Sequence, residues 1–274
     1  MKIVFLAAAC VSIAAVVLIC LFLFVSGIPA IAEIGAGSFL LGNRWKPLSG
    51  LYGIFPMIVG SLYVTAGAVL IGVPIGILTA VYLAEFCRPS VYRILKPAIE
   101  LLAGIPSIVY GFFGLMVIVP EVQRIFGTSG KGVLSASVLL GIMILPTVIG
   151  VTEAAVRAVP GNYYEGSLAL GATHERSVFR VMIPAAGSGI VAGVVLGIGR
   201  AIGETMAVIM VAGNQAVIPK NVLSGVRTMT ANIVLEMGYA ADLHRDALIA
   251  TAVVLLVFIL LINLSFSLLK GRNL

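Results

Sequence analysis

The stretch Gly197-Ile-Gly-Arg200-Ala-Ile-Gly203-Glu204-Thr-Met-Ala-Val sets a guanidinium and a carboxylate four residues apart inside a long apolar run. A charge at the centre of a membrane helix costs about 2.5–3.5 kcal/mol on insertion scales, so ionisable residues at that depth mark a functional site by default. On a continuous helix the four-residue spacing brings both onto one face and within mutual reach. Gly193 and Gly197 share that face, and Gly189, Gly193 and Gly197 form overlapping Gly-xxx-Gly steps that let another helix approach closely. The face is therefore expected to point into protein or a water-filled path. Two readings stand side by side. In one, Arg200 and Glu204 neutralise each other as a structural ion pair. In the other, Arg200 offers a planar fork of donors suited to the oxygens of an anion such as phosphate, while Glu204 orients or screens it. A partly compensated arginine suits a conduit, because an anion held strongly would never leave.

A second segment, Arg157 to Pro184, is too polar to cross a membrane and too patterned to be a slack loop. Leu168, Phe179 and Met182 make a small apolar face, and Gly171 is expected to break the helix into two short segments lying along the membrane surface. Such a shape suits a knob inserted into a partner's groove. Other chemistry is thin. Cys10, Cys20 and Cys87 have no metal spacing, and His174-Glu175 lacks the second histidine of a zinc site, His244 being the only other. No Gly-xxxx-Gly-Lys-Ser/Thr phosphate loop is present. An intramembrane enzyme thus has nothing to work with.

The elements that carry these groups follow from composition. With 61% hydrophobic and 10% charged residues, the 274-residue chain excludes a water-soluble fold. The net charge of +6 is spread in ones and twos beside apolar runs rather than in a basic patch, so it reads as topology and not as nucleic-acid binding. Uncharged stretches at 3–32, 47–84, 101–120, 132–152, 181–199 and 247–269 each supply the roughly 20 residues needed to cross a bilayer. Trimmed at Pro and Gly, they predict an all-α integral membrane fold with six transmembrane helices near 3–26, 57–85, 98–119, 133–156, 186–212 and 247–269. The fifth must run on past Arg200 and Glu204 to reach full length. The first is too long for a cleaved signal and is expected to stay as an anchor.

Six crossings put both termini on one side. Lys2, Arg88, Arg93, Lys96, Arg157, Arg176, Arg180, Lys270 and Arg272 fall on that side, and Arg44, Lys46, Arg124, Lys131, Lys220, Arg227 and Arg245 on the other. The first group lies in short loops and at the termini, so both termini are assigned to the cytoplasm of a bacterial cell membrane protein. Segments 27–56 and 213–246 are then external, and 161–184 is a cytoplasmic loop. Asp242, His244, Arg245 and Asp246 read as a solvated face or a helix start.

In the loop, the order Glu165, Gly171, Ile183 and Pro184 resembles the EAA loop of ABC-importer permeases, with Gly166 and Ser167 where that family has alanines and Ile183 where it has leucine. In that family this loop is the coupling helix seated in a cleft of the ATPase. Gly199 to Val208, continuing to Val211-Ala-Gly-Asn214, is similar to the phosphate-specific transport permeases, and more to the PstC type than to PstA. So are Trp45-Lys-Pro47, Gly53-Ile-Phe-Pro56 with Gly60-Ser-Leu62, and Gly104 to Leu115.

The resemblance implies a type I ABC-importer permease bundle whose substrate pathway includes Arg200 and Glu204. It implies a PstA-like permease partner, two PstB-like ATPase subunits and an extracytoplasmic PstS-like phosphate-binding protein. ATP and Mg would sit on the ATPase and no cofactor on this chain, which would be a non-catalytic subunit. One arginine does not by itself separate phosphate from sulfate, molybdate or phosphonate. Gly72, Pro74, Gly76 and Thr79 also allow a broken helix of an ion-coupled secondary transporter, which kinks within a permease bundle explain equally.

Overall fold

The computed structural model describes residues 1–271, with side-chain surroundings through residue 265; Arg272 and the Lys270 side chain, both used in assigning topology, lie outside the described residues. In chain order the elements are α1 Lys2–Ile34, α2 Ala36–Leu41, a hairpin of β1 Trp45–Lys46 and β2 Leu51–Tyr52, and α3 Phe55–Val81 ending in a π-turn at Tyr82–Phe86. Then come α4 Pro89–Gly104, α5 Ser107–Phe113, a π-turn at Gly114–Ile118, α6 Val119–Phe126 and α7 Val133–Arg157. The second half holds α8 Gly161–Ala169, α9 His174–Ser177, a π-turn at Val178–Met182, α10 Ile183–Ala185, α11 Gly187–Gly203, α12 Met206–Val211, α13 Met229–Glu236 and α14 Asp242–Gly271. The hairpin pairs Trp45 with Tyr52 and Lys46 with Leu51 in antiparallel register.

Among the described residues, five helical stretches are long and apolar enough to cross a membrane, and His174–Ala185 with Gly187–Gly203, bent by 69° between them, reach that standard only as a pair, which makes six if α11 belongs to one span. The bundle is packed on small residues. A Cβ on Gly72 of α3 would lie 2.6 Å from the Gly141 carbonyl of α7, and one on Gly76 would lie 2.8 Å from Val148. Lipid tails are as apolar as leucine, so close backbone approach of this kind, rather than hydrophobic exclusion, is what binds membrane helices. The core formed there joins Val64 and Ala68 with Leu139, Met143, Ile144, Val148, Val208 and Val211. A second apolar cluster at the hairpin end joins Phe39, Trp45, Ile54, Met57, Met229 and Leu248. Along α1 only Gly27 and Ala30 are buried, where Gly27 abuts Ala250 and Val253 of α14.

Four expectations need correction. The helix expected at 98–119 is two elements. Ile105 is extended before Pro106 (φ −68°, ψ 126°), because the proline ring clashes with a helical residue preceding it. The crossing is therefore Ser107–Phe126, and α4 is a separate amphipathic helix. The helix expected at 186–212 ends at Gly203 and restarts at Met206. The first helix runs through Pro29 to Ile34, so segment 27–56 is helical in its first part. Of the two readings of Asp242 to Asp246, the helix start holds, since α14 begins at Asp242, whereas the solvated face fails at His244, which is mostly buried and hydrogen-bonded to Glu236.

Candidate functional site

Arg200 lies in the last turn of α11, and Glu204 is the first residue beyond it, in extended conformation (φ −69°, ψ 132°). Gly199 and Gly203 weaken the helix there. The Glu204 carboxylate turns to the following amides: its Oε1 accepts from the Thr205 N–H at 3.1 Å and the Ala207 N–H at 3.2 Å, so it caps α12. Each charge answers a helix end, the cation the carbonyl-rich C-terminus of α11 and the anion the amide-rich N-terminus of α12. The ion pairs found in the structure do not include Arg200 with Glu204. The side chain that Arg200 does reach is Thr147 of α7, with Nη1 3.5 Å from Oγ1. Both Arg200 and Thr147 are half-buried.

The small residues around this break divide by face. A Cβ on Gly197 would come 2.9 Å from Val148, and one on Gly193 would come 3.2 Å from the Thr152 hydroxyl; Gly189 abuts Ala155. All three lie against α7. Gly199 and Gly203 lie on the other side, where a Cβ added to either would meet nothing within 4 Å beyond its chain neighbours and the helix's own backbone. The break is held from one more direction, since the Thr230 hydroxyl of α13 donates to the Glu204 carbonyl at 3.1 Å.

At the other end of the bundle, Gly171 adopts φ +85° just past α8. The Gly171 N–H donates to the Leu168 carbonyl at 2.9 Å and the Ala172 N–H to the Ser167 carbonyl at 3.2 Å, which is the paired bonding of a Schellman stop. Thr173 then caps α9 by accepting from the Arg176 N–H. Two bonds tie the helices into one knob: Tyr164 Oη with His174 Nδ1 at 2.8 Å, and Ser167 Oγ with Ser177 Oγ at 2.9 Å. The His174 ring also packs edge-on against Phe86 at the end of α3, 4.8 Å between centroids. Leu168, Leu170 and Phe179 are exposed, whereas Met182 is buried in the bundle and does not share their surface. Glu165 and Pro184 are exposed, and Ile183 is half-buried at the foot of the knob.

Two carboxylates missed by sequence reasoning organise the ends of the bundle. Glu153, 2% exposed, accepts from the Tyr92 hydroxyl (2.7 Å), Lys96 Nζ (2.8 Å) and Arg157 Nε (3.0 Å), clamping α4 to α7. The Arg157 guanidinium also donates to the Leu83 carbonyl at 2.8 Å. The bond to Glu153 raises the pKa of both Lys96 and Tyr92 above the ordinary values. Spacings of four, Tyr92 with Lys96 and Glu153 with Arg157, were the signal that could have found it. At the hairpin end Glu236 accepts from Arg227 Nη1 (2.6 Å), Trp45 Nε1 (2.7 Å) and His244 Nε2 (2.9 Å). No local spacing announces that cluster.

Among the described residues no group of three metal-ligating side chains occurs. The arrangement sets a guanidinium beside a helix break and a two-helix knob at one end of the bundle.

Residues 72–272 match the family model described as binding-protein-dependent transport system inner membrane component. The chain is 40% identical over 269 residues to the Probable ABC transporter permease protein YqgH of Bacillus subtilis, covering 94% of this chain and 87% of that one. It is 37% identical over 246 residues to the phosphate transport system permease protein PstC of Mesorhizobium japonicum, covering 82% and 75%. In fold it is similar to the MetNI methionine ABC transporter in inward-facing conformation, with TM-score 0.64 and 21% identity, covering 84% of this chain and 100% of that chain. It is also similar to a bacterial ABC transporter that imports alginate, with TM-score 0.61 and 16% identity over 99% and 96% of the two chains.

Proposed function

The chain belongs to the family of binding-protein-dependent transport system inner membrane components, and from that premise we propose that it is the permease subunit that carries inorganic phosphate through an ATP-driven importer. It is a multi-pass membrane protein with the type I ABC-importer permease fold. The family implies an ATPase and a substrate-binding protein as partners. We take these to be a PstB-like ATPase, which would hold ATP and Mg, and a PstS-like phosphate-binding protein, with a PstA-like permease completing the membrane pair. This chain would itself hydrolyse nothing. The Lys/Arg distribution supports cytoplasmic termini, which puts the α8–α10 knob on the ATPase side and the β1–β2 hairpin outside.

One observation carries the substrate reading. Glu204 directs its charge to the α12 amides, so the Arg200 guanidinium, which reaches Thr147 through Nη1, keeps its remaining donors for a passing oxyanion. The relatives named as phosphate permeases narrow that oxyanion to phosphate. Glu165, Gly171, Ile183 and Pro184 would form the docking knob, and the Schellman stop at Gly171 supports its shape. ATP-dependent uptake of labelled phosphate against labelled sulfate by the reconstituted complex tests the reading. Faster sulfate than phosphate uptake would reassign the substrate.

A further inference from the structure

Helix α13 has one end at each of two places that the proposed transport cycle must connect. Its C-terminal residue, Glu236, is 7% exposed and accepts hydrogen bonds from three separate segments: Trp45 of the hairpin, Arg227 of the preceding loop and His244 of α14. Its second residue, Thr230, donates to the main-chain carbonyl of Glu204, where the fifth crossing breaks beside Arg200. Between these ends lie six residue steps of helix, about 9 Å along the axis. The helix cannot slide freely, because the Met229 N–H donates to Ser61 Oγ of α3 at 3.0 Å and Thr228 caps its first turn. A carboxylate has only acceptor sites and the Trp45 indole and Arg227 guanidinium only donors, and buried charge-assisted bonds between such groups are short and directional. The position of Trp45 therefore constrains Glu236, and through it Thr230.

Two asparagines flank the Arg227 guanidinium in the same region. Asn232 of α13 is fully buried, and its Nδ2 has no partner, although its Oδ1 accepts from Arg227 at 3.0 Å. On the other side of the guanidinium, the Asn214 carbonyl accepts from Arg227 Nε, and the buried Asn214 Oδ1 is also without a partner.

We infer that α13 is a strut joining the external hairpin to the helix break, with Glu236 as the positioning residue that lets a binding protein on the hairpin side move the Glu204 main chain beside Arg200. The inference rests on the permease reading above. It assigns to Trp45 and Thr230, neither of which lies in the anion path, a role in transmission.

The test uses the whole complex, with partner permease, ATPase and phosphate-binding protein, in proteoliposomes. ATP hydrolysis is measured without and with phosphate-loaded binding protein. Wild-type complex that ignores the loaded binding protein would sink the permease reading itself and not the strut alone. Given a responsive wild type, Trp45→Phe and Thr230→Val are each expected to keep the basal rate and lose stimulation by about fivefold or more, the span of ordinary coupling between sites. Thr230→Ser, which keeps the donor, is expected to restore it. Undiminished stimulation in both variants overturns the strut, and so does a parallel fall of basal and stimulated rates with no rescue by serine.

Discussion

The carboxylate of Glu204 accepts the amide hydrogen of Ala207, three residues ahead, at 3.2 Å, and makes no ion pair with Arg200, four residues behind. The two charges of the fifth crossing are therefore separable by mutation. Glu204→Gln keeps an acceptor for the α12 amides and should leave assembly intact. Glu204→Ala removes the cap and should cost about 1 kcal/mol of stability. Thermal unfolding of the purified complex distinguishes them; equal losses would show that charge rather than capping matters.

Arg200→Gln should assemble normally but lower phosphate uptake by at least about tenfold, the scale of a lost charge-assisted hydrogen bond. Arg200→Lys keeps the charge without the planar fork and should fall between. Uptake in proteoliposomes measures both, and wild-type rates in Arg200→Gln would leave the residue a structural role only.

Gly171 sits at φ +85°, where a side chain costs about 1–2 kcal/mol and asparagine is best tolerated. Gly171→Asn should retain ATPase binding, while Gly171→Arg should lose it without unfolding the bundle. Co-purification of the ATPase reads this directly. Retention by the arginine variant would move the docking surface elsewhere.

Glycines on opposite sides of α11 should respond differently. Gly197→Leu forces atoms into Val148 and should destabilise by about 1–3 kcal/mol. Gly203→Ala meets open space and should be neutral. Similar melting temperatures for the two would contradict the packing of α11 on α7.

Lys96 is held to Glu153 by a hydrogen bond that raises its pKa. The folded chain therefore keeps this proton more firmly than the unfolded one. Its contribution is complete below the unfolded value of about 10.4 and fades as pH rises through the higher folded value. The stability deficit of Lys96→Met should be constant across about pH 7 to 9 and shrink only above about pH 10.5. A deficit already gone near about pH 8 would mean that the bond to Glu153 is not its source.

The spans were legible because bilayer crossing is set by length and composition, and α7 starts at Val133 as expected and ends one residue later at Arg157. The position of Arg200 and Glu204 was legible for the same reason. Their relationship was not: a helix starting near 186 had to run past both charges to span a bilayer, which presumes continuity, whereas a carboxylate able to cap the next helix lowers the cost of a break. Pro106 marks the true start of the third crossing, a start that the helix expected from 98 ran through. The Glu236 cluster was beyond reach, because Trp45 and Glu236 are 191 residues apart and meet only after the bundle assembles.

The interruption after Gly203 also has a mechanical side. Between α11 and α12 the chain passes through only Glu204 and Thr205, and the helical hydrogen-bond ladder is already open there. The two helices are thus joined covalently by two residues alone, and what seats α12 is its own packing: Val208 and Val211 lie in the core, while the glycine seam with α7 belongs wholly to α11.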